Sequence, residues 1–214
     1  STPNLLGELP DAKQQKVWDK ELAAIDDTLN KIESAGSELA KLTRPPFVWR
    51  VSFFEVFDGR PKGEQGFDIV VGNPPYVRQE KIAPPRKRES EYSTPQWKSL
   101  KDAYKARLQH SVQAAWPEFF DGGKRKLDGK SDLYIYFFLH GLKLLAPGGA
   151  FCFITSNSWL DVGYGSDLQE FLLKYGRVRA IFDNEVKRSF KSADVNTAIA
   201  LLGCGERKTK DNER

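Results

Sequence analysis

Apolar positions fall along the chain in two regimes. Between residues 11 and 43 they recur at alternating steps of four and three: Trp18, Leu22, Ile25, Leu29, Ile32 and Leu39, with Gly36 in the missing place. That spacing predicts one long helix with a single apolar seam. Two roles are open for the seam: a spacer or coiled-coil arm leading to another module, or one face of an amphipathic helix that packs on the domain or is left exposed. Residues 1–10 read as loose, and Arg44-Pro45-Pro46 ends the helix. Beyond residue 45 the pattern changes to short apolar runs divided by turn residues. Residues 47–57 read as a strand or half of a hairpin, 58–66 as a turn-rich loop, and Gly66–Gly72 as a buried strand.

After residue 77 the apolar periodicity fades, apart from a possible helix around Thr94–Phe120. It returns at residue 131. Ser131 or Asp132 is a suitable N-cap for a helix over Leu133–Leu145, which Ala146-Pro147-Gly148-Gly149 breaks. Ala150–Ile154 reads as a strand, Asp167–Lys174 as a helix closed by Tyr175-Gly176, and Val178–Phe182 and Thr197–Leu202 as two further strands. Strands alternating with helices predict an α/β domain with a mostly parallel sheet. The implied organisation is a helical arm or linker over 1–44, a sheet domain over 45–203 with an insert at 77–130, and a polar tail over 204–214.

Composition changes this picture in one place. The 214 residues carry a net charge of +4. Residues 77–130 alone hold thirteen Lys and Arg against seven Asp and Glu, a difference of +6. The positive excess therefore lies wholly in the insert. We read Arg78 and Arg86-Lys87-Arg88 as candidate phosphate contacts, and the lysines of the 94–120 helix as solvated. Tyr92, Trp97 and Tyr104 have either a nucleic-acid or a packing role. Two cysteines and two histidines without clustered spacing predict no metal site, and Cys152 and Cys204 read as buried thiols. No signal peptide and no apolar run of membrane length stands in the sequence, so a cytoplasmic protein with no membrane partner is expected.

The candidate chemistry sits at Asn73-Pro74-Pro75-Tyr76, directly after the Gly66–Gly72 run. Two prolines fix φ and remove two backbone donors. The turn is therefore stiff, and its carbonyls are available as acceptors. An amide and an aromatic ring flank it, a combination suited to gripping a flat base that carries an exocyclic amino group. The N6 lone pair of adenine is delocalised and a poor nucleophile. Two acceptors, the Asn73 side-chain oxygen and the Pro74 carbonyl, would bond both N6 hydrogens and localise that pair, an effect worth a few kcal/mol where charge develops. Tyr76 would stack on the base, for about 1–3 kcal/mol. A base held this way has left the duplex.

At these residues the sequence resembles the adenine-N6 DNA methyltransferases with an Asn-Pro-Pro-Tyr motif, above all the large bacterial restriction-modification and phage-defence enzymes. The resemblance runs in order over roughly residues 45–203, through 47–57, Ser131–Phe138, Gly148–Trp159, Val178–Asp183, Phe190 and Asn196–Leu202. It implies a Rossmann-like sheet with an antiparallel edge hairpin. It also implies a bacterial enzyme with S-adenosylmethionine as cofactor and double-stranded DNA as partner. Asn73, Pro74, Pro75 and Tyr76 would be catalytic, Tyr76 and Phe190 would stack on the base, and Asn73, Asp132 and Leu133 would touch the cofactor, although capping alone would account for Asp132. The family binds its cofactor through a glycine-rich turn after its first strand, and no such strand–glycine–helix unit precedes Asn73. The chain is therefore expected to be the catalytic half of a methyltransferase, with an incomplete cofactor site and no activity alone, completed by an N-terminal half or another subunit. RNA or a protein glutamine are other substrates for the same motif. A non-catalytic module that binds DNA or a subunit is the alternative of a different class.

Overall fold

The structure, a computed structural model, describes residues 12–40, 47–184 and 196–204. The chain divides into two units, Ser1–Ser52 and Phe53–Arg214.

In the first unit, helix α1 spans Ala12–Ala40, close to the predicted bounds. The seam faces solvent: Trp18 is 42% exposed and Ile32 62%, with Leu22, Ile25 and Leu29 between them. Within residues 47–57, predicted as a strand or half of a hairpin, two short helices form instead. Helix α2 covers Trp49–Ser52, and helix α3, in the second unit, covers Phe54–Phe57. Phe53 and Phe57 explain the outcome for α3. Both rings pack edge-on against the single ring of Phe67, at centroid distances of 5.2 and 5.3 Å. Residues four apart meet one ring when they are a helical turn apart, and not when they are extended.

The second unit is built on four strands: β1 (Phe67–Gly72), β2 (Leu145–Ser156), β3 (Gly176–Asp183) and β4 (Thr197–Cys204). Their order in space is β1-β2-β4-β3. The α/β class and the antiparallel edge hairpin are as expected; the mostly parallel pairing is not. Only β1 and β2 run parallel, while β2–β4 and β4–β3 are antiparallel. The cause is the hairpin itself: β4 folds back between β2 and β3, so both of its contacts are reversed. Strand β1 is also not buried. It forms the opposite edge of the sheet, with Ile69 70% and Val71 74% exposed.

Three longer helices complete the unit: α4 (Thr94–Ala115), α5 (Leu133–Lys143) and α6 (Ser166–Tyr175). Gln96 accepts the Ser93 backbone N–H at the start of α4, and Pro117 stops that helix before the predicted Phe120. The buried core joins Val112 of α4 and Trp116 just after it, Phe138 and Leu142 of α5 and Phe171 of α6 to Phe151, Phe153, Ala200 and Leu202 of the sheet. Phe151 pairs with Leu202 and Phe153 with Ala200, so these four share one sheet face.

Two glycines fix the frame. Gly66 has φ +122°, and a Cβ there would stand 2.6 Å from the Ala146 nitrogen. It lets β1 enter flush against β2, whose residues 146–149 bulge between the Phe67–Leu145 and Ile69–Ala150 pairs instead of ending the element before the strand. Gly176, by contrast, is extended (φ −100°): it closes α6 after Tyr175 as expected, donates its N–H to the Leu172 carbonyl, and begins β3. Cys152 is half-buried, not fully so.

Candidate active site

Strand β1 ends at Gly72, where a Cβ would lie 2.9 Å from the Phe153 ring. The Asn73–Tyr76 turn therefore springs directly from the core. Asn73 and Pro75 are exposed, Pro74 is buried and Tyr76 half-buried. Among the described residues nothing hydrogen-bonds the Asn73 side chain or the Pro74 carbonyl. The Pro75 carbonyl, expected to be open as well, accepts the Val77 N–H at 3.0 Å. The Tyr76 hydroxyl donates to the Ile154 carbonyl of β2 at 3.3 Å, which orients the ring. Burial pushes the Tyr76 phenol up, so it stays protonated.

A cleft of about 150 Å³ opens beside this turn, lined by Tyr76, Arg78, Asp132, Tyr134, Ser156, Asn157, Ser158 and Asn196. It lies at the carboxyl ends of the two parallel strands, where open α/β sheets bind ligands. Asn157 anchors its far wall: the side-chain amide donates to Asp183 at 3.1 Å, and the backbone N–H to the Asn196 carbonyl at 3.0 Å.

Asp132 stands at the N-cap position of α5, yet its side chain caps nothing. One oxygen accepts the Gln79 backbone N–H at 2.9 Å, and the other the Tyr164 hydroxyl at 3.0 Å. Capping is therefore not its role. The Leu133 N–H donates to the Val77 carbonyl at 3.0 Å, while the Leu133 side chain packs against the core. Of the three residues expected at the cofactor, Asp132 lines the cleft, Asn73 lies exposed at the end of β1, and Leu133 binds the Val77 carbonyl through its backbone. Sequence reasoning missed Tyr164, Asn157 and Ser158. Tyr164 sits in a Gly-Tyr-Gly loop that carries no signal of its own.

Arg78 lines the cleft. Arg86, Lys87 and Arg88 form an exposed turn, with Arg86 at φ +69°. Lys87 lies 5.8 Å over the Tyr92 ring. Tyr92 in turn stacks on buried Trp97, with centroids 6.0 Å apart, so this aromatic pair packs. Two lysines of α4 read as solvated are in use: Lys105 donates to the Gln79 side chain at 3.1 Å, and Lys101 to the Glu80 carbonyl. Phe190, the expected second stacking residue, lies outside the described residues. Among the described residues no group of three or more His, Cys, Asp and Glu is placed to hold a metal, and no helix is long and apolar enough to cross a membrane.

Comparison with known proteins identifies a family. The family model of the Eco57I restriction-modification methylases matches residues 4–190. The Type II methyltransferase M.XamI of Xanthomonas campestris pv. amaranthicola is 29% identical over 142 residues, which is 66% of this chain and 22% of the relative. M.XhoI of Xanthomonas vasicola is 35% identical over 103 residues, 48% of this chain and 13% of the relative. The chain thus spans less than a quarter of the length of either relative. Among solved structures, the Type IIL restriction-modification enzyme MmeI in complex with DNA aligns with a TM-score of 0.38 at 14% identity, over 65% of this chain and 16% of that one.

Proposed function

Because the chain belongs to the Eco57I restriction-modification methylase family, we propose that it carries the catalytic turn of a DNA adenine-N6 methyltransferase working in a restriction-modification or phage-defence system. The observation that carries this reading is the pair of acceptors without a partner among the described residues, the Asn73 side-chain oxygen and the Pro74 carbonyl, in adjacent residues of the segment whose Tyr76 lines a polar cleft. A flipped adenine presents its two N6 hydrogens to them. As N6 takes the methyl group, positive charge grows on the nitrogen, and two fixed acceptors stabilise it by a few kcal/mol. Tyr76, oriented by its bond to Ile154, offers its ring to the base.

S-adenosylmethionine would supply the electrophilic methyl group; Asn73 would touch it, and Asp132, whose two oxygens are held by Gln79 and Tyr164, would line the same cleft. Asn73 and Pro74 would hold N6 while it takes that methyl group, and N6 would then give up one proton to solvent. Arg78 beside the cleft and the exposed Arg86–Arg88 turn supply cations for the DNA backbone.

The test is Asn73→Ala in the methylating protein. We expect methyl transfer to adenine to fall by about 10²–10³-fold or more while DNA affinity holds. Substantial activity in that variant overturns the reading.

A further inference from the structure

The two groups that would grip adenine have no partners of their own among the described residues, so their position depends on what holds the chain on either side. Upstream they are fixed by β1. Downstream, two bonds join the segment leaving Tyr76 to the first residues of α5: Leu133 N–H to Val77 carbonyl at 3.0 Å, and Gln79 N–H to Asp132 carboxylate at 2.9 Å. Two bonds two residues apart fix both the position and the twist of the segment.

We propose that Asp132 and Tyr164 form a latch that sets the geometry of the Asn73–Tyr76 turn, and that both are positioning residues for methyl transfer. This rests on the reading of that turn as catalytic. Asp132 is 9% exposed, and its carboxylate is engaged from two sides. Its second oxygen takes the Tyr164 hydroxyl at 3.0 Å, and that hydroxyl lies 3.3 Å from the hydroxyl of Tyr134. An N–H and an O–H converge on two different oxygens, a task a carboxylate performs and a carboxamide, with one acceptor, performs only by half. Charge assistance strengthens both bonds. Burial, foremost, pushes both phenols up, so they remain protonated as the arrangement requires. The helix does not use Asp132 as its cap, which leaves the loop as the object of the carboxylate. A displacement of about 1 Å at a reacting centre costs on the order of 100-fold in rate.

The experiment uses the full chain and the variants Asp132→Ala, Asp132→Asn and Tyr164→Phe. Amide hydrogen exchange should speed about tenfold at Gln79 in Asp132→Ala, as expected for losing a bond to a charged group, with α6 and β4 unchanged. In the methylating protein, the single-turnover rate should fall roughly 100-fold with KM for DNA nearly constant, and Asp132→Asn and Tyr164→Phe should lie between that variant and the parent. Unchanged exchange at Gln79, loosening spread evenly over the unit, or a rise in KM alone would overturn the latch. If Asp132→Ala does not fold, Tyr164→Phe, which removes a single hydroxyl, decides by the same readouts. Asn73→Ala in the same assay separates the two ideas. If it stays active, the catalytic reading fails. If it is inactive while Asp132→Ala reacts at the parent rate, the latch alone fails.

Discussion

Phe151 and Phe153 of β2 are buried, whereas Ile69 and Val71 of neighbouring β1 are 70% and 74% exposed. The two pairs belong to opposite faces of one sheet. On the first face, helices α4, α5 and α6 cover the apolar residues and build a dense aromatic cluster. Phe138 lies 5.7 Å from Phe151, 5.4 Å from Phe153 and 5.9 Å from Trp159. On the second, Val71 pairs with Cys152, and Ile154 pairs with Ile199, itself 38% exposed. Both faces are apolar in sequence, but only one contributes burial to folding, at about 25 cal/mol per Å² removed from water. Apolar content identifies a strand; whether a face is covered depends on where helices land.

Substitutions can break or sharpen this contrast. The largest effect is expected on the covered face: Phe138→Ala should lower unfolding free energy by about 3–5 kcal/mol in urea titration. A smaller loss is expected where α6 is fastened on that side. Arg125 bonds Glu170 at 2.8 and 2.7 Å and Asp167 at 2.8 Å, and lies 4.2 Å over the Phe119 ring. Because these groups are partly in water, Arg125→Ala should cost only about 1 kcal/mol, read as a shift in the urea midpoint. The smallest effect belongs to the open face: Val71→Ser should change stability by no more than about 0.5 kcal/mol. A loss comparable to that of Phe138→Ala would mean that Val71 is covered in solution.

The same contrast explains how far the sequence could be read. Helices α1, α5 and α6 and strands β2–β4 were legible because each has a local pattern: a seam, a start and stop, or an apolar run between turns. The Asn73–Tyr76 turn was legible because its stiffness and functional groups lie in four adjacent residues. The strand predicted at 47–57 failed because rings that alternate in sequence are also helix-compatible, and only the distant Phe67 selects the helix at Phe53–Phe57. The parallel share of the sheet failed because nothing in Thr197–Cys204 reveals that it inserts between β2 and β3. Asp132 was open to a reading as a cap because its side-chain partners, Gln79 and Tyr164, are 53 and 32 residues away.

The position of β4 carries a consequence for the chain as it is made. Strand β3 pairs only with β4 among the described residues, and β4 is synthesised after it. Until Cys204 has left the ribosome, β3 has no ladder to join, and the outer flank of β2 stays unfilled. At synthesis rates of about 5–20 residues per second, β3 waits at least about a second as an unpaired nascent strand. Strand β3 is therefore joined to β1 and β2 only when β4 arrives between β2 and β3.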